Sequence, residues 1–250
     1  MTPYEQFKEE CAKEIALQDN PEIWQKTKEW KRSLAGRHYT YHFEWLGRPI
    51  IQYPQDIVQY QEIVWQTKPD LIIETGIAHG GSLMLSASML ALLDLSIPPP
   101  TIKKRMVLGI DIDIRKHNKE AIETHFLSDR IKMIEGSSVD DNIAKQVKEY
   151  AKDFKSIMLS LDSNHTHDHV LQELNLYAPL VTKGNYCIVF DTSIEDAPEN
   201  SFPNRPWGKG NNPKTAVWEF LKTHDEFVID KDIPNKLLIT VAPDGYLRRV

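Results

Sequence analysis

The 250-residue sequence predicts an α/β fold: a doubly wound, mainly parallel sheet that closes in an antiparallel pair of strands. Three observations predict it. Short runs rich in Ile, Val and Leu alternate with helical stretches. One run, "LIIETGIAHGGSLMLSASML", passes from strand through three glycines into a helix. The last two runs are joined by a connection too short for a parallel crossover.

In chain order, residues 1–36 are polar and read as an N-terminal helical extension, with Asn20-Pro21 starting a second short helix. Residues 37–250 form the main domain. Its strand candidates are "DLIIETG" (70–76), "RMVLGIDID" (105–113), "IKMIEG" (131–136), "SIMLSLD" (156–162) and "NYCIVFD" (185–191). Helical stretches such as "RKHNKEAIETHFL" and "HVLQELNLYAPL" lie between them, and "SIPPPTIKKR" reads as a surface loop. "EFVID" and "KLLITVA", linked by "KDIPN", are expected to form the closing antiparallel hairpin, which brings the strands to seven.

Bulk properties narrow the function. With 41% hydrophobic and 26% charged residues the chain is an ordinary globular one, and nothing divides it into two domains. A net charge of -6 gives no electrostatic reason to expect nucleic acid or an anionic membrane, so a small molecule is the expected partner. Cys11 and Cys187 are the only cysteines, and Cys187, inside "YCIVF", reads as a buried free thiol, which fits a reducing compartment. The first 20 residues carry no apolar leader and no segment is long enough to span a membrane. The reading is a cytoplasmic protein.

In open α/β sheets ligands bind beyond the carboxyl ends of the strands. Here those ends are polar: Glu74-Thr75-Gly76, Asp111-Ile112-Asp113, Glu135-Gly136-Ser137-Ser138, Asp162-Ser163-Asn164-His165 and Asp191-Thr192. Any one of them is explained as a cap for the next helix, but five on one edge ask for a ligand. The spacing of Gly76, Gly80 and Gly81 does not fit G-x-G-x-x-G, and Asp111 lies far beyond the roughly 20 residues of a nicotinamide site. No Lys-Ser or Lys-Thr follows, which excludes a P-loop. A cofactor with a nucleoside and a zwitterionic tail remains, namely S-adenosylmethionine (SAM). Glu74 and the turn containing Gly76, Ala78, Gly80, Gly81 and Ser82 are expected to hold its amino-acid end. Asp111 would hold the ribose, and Ser137 or Ser138 the adenine edge. Gly76 is expected to leave the ligand room by lacking a side chain.

"EWLGRPIIQYPQDIVQYQEIVWQTKPDLIIETGIAHGGS", "GIDIDIRKHN", "LDSNHTHDHVLQEL" and "GKGNNPKTAVWEFL" resemble the cephalosporin hydroxylase family, a branch of the class I SAM-dependent methyltransferases. The likeness runs from about Arg37 to the C-terminus. It implies the seven-stranded methyltransferase sheet and a divalent metal beside the cofactor, held by Asp162 and Asp191. Where the family's namesake has a further acid before the second ligand, Phe190 stands here, which leaves Thr192, His165 or water as third ligand. Relatives include sugar and glycolipid O-methyltransferases, while the namesake is associated with hydroxylation as well.

Methyl transfer from a sulfonium is an in-line displacement in which positioning supplies much of the acceleration. The acceptor hydroxyl must also lose a proton, which Mg²⁺ on carboxylates and a nearby histidine can bring about. Asp162, Asp191 and His165 are the available set, with Asp162 beside both cofactor and metal, and hard oxygen ligands favour Mg²⁺ or Ca²⁺. "HTHDH" is one residue short of the binuclear zinc hydrolase motif and lies in the wrong strand-helix pattern. A helix beginning near Thr166 would put His167 and His169 in its first turn, with His169 structural and His165 free to reach the site. For His165 the plain alternative is a loop or capping histidine.

"NSFPNRPWGKGNNPKTAVWEFL" reads as a lid with Arg205 and Trp207 as acceptor contacts, or else as an ordered crossover packed by Trp207. "RHYTYHFEWLGRPIIQYPQD" reads as pocket wall and subunit interface of a homo-oligomer, with Gln52 and Asp56 approaching the cofactor as the resemblance implies. Three functions stay open: a Mg²⁺-assisted O-methyltransferase acting on a sugar, glycolipid or secondary metabolite; a hydroxylase or its accessory protein; and a non-catalytic cofactor binder.

Overall fold

The computed structural model describes residues 1–34, 36–99 and 104–250. The expected surface loop "SIPPPTIKKR" falls partly on 100–103, outside the described residues. Two helices open the chain, α1 (Pro3–Leu17) and α2 (Pro21–Ser33). Thr2 and Glu5 form a capping box on α1, and Asn20 caps α2 with Pro21 in its first turn. A small hairpin follows, β1 (Phe43–Trp45) and β2 (Arg48–Ile50), turned by Leu46 and Gly47, both with positive φ. Next come α3 (Pro54–Thr67), β3 (Leu71–Thr75), α4 (Gly81–Ser96), β4 (Met106–Asp111), α5 (Lys116–Glu123), β5 (Ile131–Glu135), α6 (Asp141–Ala151) and β6 (Ile157–Leu161). The chain ends with α7 (His167–Tyr177), β7 (Tyr186–Val189), α8 (Pro213–Phe220), β8 (Phe227–Ile229), α9 (Asp232–Leu237) and β9 (Tyr246–Arg249).

The main sheet has seven strands in the order β5-β4-β3-β6-β7-β9-β8. The first five are parallel; β9 is antiparallel to both β7 and β8. Winding reverses between β3 and β6, which opens the ligand crevice of a doubly wound sheet at the ends of those two strands. The period of two sorts the side chains into two cores. Ile72, Val107, Met158 and Ile188 join the core under α3 and α4, and Leu71, Ile73, Leu108 and Leu159 join the one under α6, α7 and α8.

Each of the five parallel strands lies where its apolar run predicts. The closing pair is antiparallel as expected, but its second arm is not "KLLITVA". "KDIPN" instead enters α9, whose amide at Asp232 is met by the Asp230 carboxylate. The following segment is anchored by a buried acid: Asp56 accepts from the Thr240 hydroxyl, the Val241 amide and the Tyr246 hydroxyl. Of these donors the Val241 amide is the backbone group a ladder would otherwise pair. Leu237 at the end of α9, and then Ile239 and Val241 on irregular chain, pack into the core.

Candidate active site

Glu74 lies two residues after Ile72 and therefore projects into the α3/α4 side of the sheet, an acid inside an apolar layer. The same alternation sends Asp162 there after Met158 and Ser160, and Phe190 after Ile188. Together with Gln52, Tyr60 and Ser82, these residues line one narrow cavity at the crevice. The Ser82 hydroxyl donates to Glu74, and Gln52 Nε2 lies 3.5 Å from Asp162 Oδ2. Desolvation lifts the Glu74 carboxyl to about 8 against the pull of Ser82. Buried Gln52 Oε1 has no partner among the described residues. A raised carboxyl and an orphaned acceptor around one cavity fit a cationic, N–H-donating ligand such as the ammonium end of SAM.

The glycine turn is held mainly by the protein itself. Gly76 has φ +89, and a Cβ there would lie 2.0 Å from Asp162 O; one on Gly81 would lie 2.2 Å from Pro49 O, and one on Gly80 would strike Ile122. These glycines let β6, the β1/β2 hairpin and α5 approach closely, so the expectation that Gly76 makes room for a ligand is revised. Asp111 Oδ2 accepts from the amides of Ile77 and Ala78 at 2.8 and 3.2 Å, while Asn118 Nδ2 donates to Ala78 O. Arg48 binds His79 O and Asn118. Of the two serines after β5, Ser138 is buried and engaged with His169, which leaves Ser137 as the accessible one.

Asp162, His165 and Asp191 converge, with one donor atom from each within 4.8 Å of the others. Regular continuation of β7 would send Asp191 to the face opposite Phe190. Instead Asp191 takes a left-handed conformation, φ 54, which Asp tolerates better than most residues, and ends the strand. About a third of its side-chain surface is open, and 29% of that of Asp162. Burial opposes a charge on His165, but Asp191 and Asp162 outweigh it and hold the imidazole up at about 9. Burial, with Asp191 as a further cause, keeps the Asp162 carboxyl above the usual range. Such an acid pair with a histidine is suited to exchange a proton for a hard cation. Thr192, one candidate for the third ligand, turns away and donates to Pro243 O.

Trp207 lies over this cluster, its ring centre 4.8 Å from that of His165, with the Arg205 guanidinium 5.1 Å from the Trp207 ring. The loop carrying them is tied at its base, where Glu195 accepts from Gly210 N and Asn212 Nδ2. α2 reaches the same region: Lys31 donates to Thr240 O, and Lys28 pairs with Asp196. The aromatic run before α3 forms both core and wall, with Tyr39, Phe43 and Trp45 packed and Gln52 on the cavity. Asp56 also borders the cavity, although its carboxylate is committed to the 240–246 segment.

One residue escaped sequence reasoning. Glu173, fully buried, accepts from the Ser163 hydroxyl at 2.6 Å just behind the 162–165 loop. Its signal was an acid on the apolar stripe Val170, Leu174, Tyr177 of α7.

A family model described as Rhamnosyl O-methyltransferase/CmcI matches residues 37–250. A rhamnosyl O-methyltransferase of Mycobacterium bovis is 32% identical over 200 residues, covering 78% of this chain and 73% of the relative. That of Mycobacterium leprae is 30% identical over 208 residues, covering 82% of each. Among solved structures, CmcI with Mg and SAM aligns at TM-score 0.55 and 19% identity, covering 84% of this chain and 77% of that one. The apo TDP-rhamnose 3'-O-methyltransferase of calicheamicin biosynthesis aligns at 0.50 and 15%, covering 91% and 89%. These two likenesses are likenesses of fold.

Proposed function

The chain belongs to the rhamnosyl O-methyltransferase/CmcI family, and from that premise we propose that it transfers the methyl group of SAM to a hydroxyl of a deoxyhexose, carried by a glycolipid or a secondary metabolite. As a member of that family it is a SAM-dependent methyltransferase, which favours methyl transfer over the hydroxylase reading. The observation that carries the proposal is the convergence of Asp162, His165 and Asp191 beside the cavity of Glu74 and Ser82.

Glu74 and Ser82 bind the cofactor's ammonium group, Asp111 its ribose and Ser137 its adenine edge. Asp162 and Asp191 are the residues that would hold Mg²⁺. Such a cation would supply Lewis acidity that lowers the pKa of an acceptor hydroxyl. When bound, SAM would supply the methyl group and would leave as S-adenosylhomocysteine (SAH); His165, once neutral, is placed to take the proton of the acceptor hydroxyl. Trp207 and Arg205 cover the acceptor and exclude water. Residues 1–36 act as an extension of the 37–250 domain, with α2 closing one side of the chamber.

Two further readings belong to the proposal. Cys11 and Cys187 are both free, which supports a reducing, cytoplasmic setting. Val58, Trp65, Leu92 and Leu95 are exposed on α3 and α4, which supports pairing of copies there.

The deciding experiment is a mass screen for gain of one methyl group across rhamnosides and other deoxyhexosides, with SAM and Mg²⁺. No methylated product from any sugar acceptor overturns the substrate assignment.

A further inference from the structure

Metal chemistry here depends on a loop of few residues. Asp162 follows the last residue of β6, His165 precedes α7, and only Ser163 and Asn164 separate them. Backbone contacts fix the near end: Asp162 N donates to Thr75 O, and the missing side chain of Gly76 lets the two strand ends meet. At the far end the Asn164 side chain accepts from the Thr166 amide and hydroxyl, a turn that starts α7. Between these anchors the Ser163 side chain reaches inward.

It meets a stripe on α7 made by residues four apart. His169, Glu173 and Tyr177 occupy successive turns on one face of the helix. Ser163 Oγ donates to Glu173 Oε1 at 2.6 Å and lies 3.1 Å from His169 Nε2. His169 Nε2 also lies 3.4 Å from Glu173 and 3.1 Å from Ser138 Oγ, and the Tyr177 hydroxyl donates to Ser138 O. Glu173 is wholly buried, and its second oxygen has no partner among the described residues. A buried carboxylate left half satisfied is worse for stability than an apolar residue on that stripe. Besides its ion pair with His169, the hydrogen bond it accepts among the described residues comes from Ser163, the neighbour of Asp162.

We propose that Glu173 is a positioning residue for the metal centre, acting through Ser163 to hold the 162–165 loop so that Asp162 faces Asp191 across one cation with His165 beside them. The inference rests on the Mg²⁺ assignment made above. Supporting partners of ligating side chains commonly change metal affinity by tenfold to a hundredfold, since a misplaced ligand loses its geometry rather than its charge. Glu173 touches neither metal nor cofactor, so its loss acts on the cation and spares SAH.

The test is calorimetry of the full chain with Mg²⁺ and, separately, with SAH. Ser163→Ala and Glu173→Gln should each weaken Mg²⁺ by about tenfold or more while SAH binding stays within about twofold. Ser163→Thr, which keeps the hydroxyl, should stay within about threefold of wild type. The double variant Ser163→Ala/Glu173→Gln should be little worse than either single one, since both act through one bond. Unchanged Mg²⁺ affinity in both single variants, additive losses in the double variant, or equal loss of SAH and Mg²⁺ would each overturn the proposal. Absence of Mg²⁺ binding by wild type that still binds SAH overturns the metal assignment and this inference together, which separates the two failures.

Discussion

His165 stands between two carboxylates: its Nε2 lies 3.5 Å from Asp162 Oδ1 and 3.3 Å from Asp191 Oδ2. The imidazolium is the cation that balances two converging acids when no metal does. A cation bound there, as proposed, would compete with that proton for one place.

The first prediction follows from that competition. Because the acids hold His165 protonated up to about 9, Mg²⁺ must displace a proton, and its affinity should rise as pH increases from 6 to 9. Calorimetry in buffers of different ionisation enthalpy should register the proton released. Chelation should abolish methyl transfer and Mg²⁺ restore it. Asp162→Asn should lower kcat sharply with SAH affinity within a few-fold, because the metal serves the acceptor and not the donor. Full activity in chelator would mean that positioning alone drives transfer.

Glu74 supplies a second pH dependence with its own window. An acid raised by burial from 4.5 to about 8 favours the folded state while protonated. Its contribution is complete below pH 4.5 and is lost as pH rises to 8. Glu74→Gln should remove that downward slope and make the ligand-free protein relatively more stable at pH 8. The same substitution should weaken SAM by about 1.5 to 3 kcal/mol, the scale of a hydrogen bond to a charged group. Thermal melts against pH and a SAM titration check both parts; a variant with wild-type SAM affinity refutes the ammonium site.

Glycine replacements test whether the turn is kept for packing. Gly76→Ala puts a Cβ 2.0 Å from Asp162 O at φ +89, and should cost about 2 to 3 kcal/mol or more. For a chain of this size that lowers the melting temperature by roughly 4 to 12 °C. Gly208→Ala, where nothing lies within 4 Å, should stay within about 0.5 kcal/mol of wild type. Equal melting temperatures for the two variants would show that the close approach at Gly76 is not tight.

Trp207 packs on His165 at the mouth of the site. Trp207→Ala should raise the acceptor KM and lower kcat by about tenfold or more, while SAM affinity changes little. Arg205→Ala, further out and exposed, should act mainly on KM. Unaltered steady-state constants in both variants would reduce this loop to a crossover.

The sequence by itself determined the layer order, the parallel strands and the edge where chemistry happens. Runs such as Leu71-Ile72-Ile73 bury on both faces and so read as interior strands, and the acids at 74, 111, 162 and 191 stand at strand ends whatever the packing. Tertiary structure alone decided the rest, because it depends on partners distant in the chain. "KLLITVA" has strand composition, yet Asp56, more than 180 residues earlier, anchors it through the Val241 amide and the Thr240 hydroxyl, and the ladder falls to Tyr246–Arg249. The glycines at 76 and 81 look like a ligand cradle until Asp162 and Pro49 are found against them. Glu173 reads as one more helix charge until folding buries it behind Ser163. Local pattern fixes what a residue can pair with over a turn or a pleat; which distant group it meets is set by how the layers close.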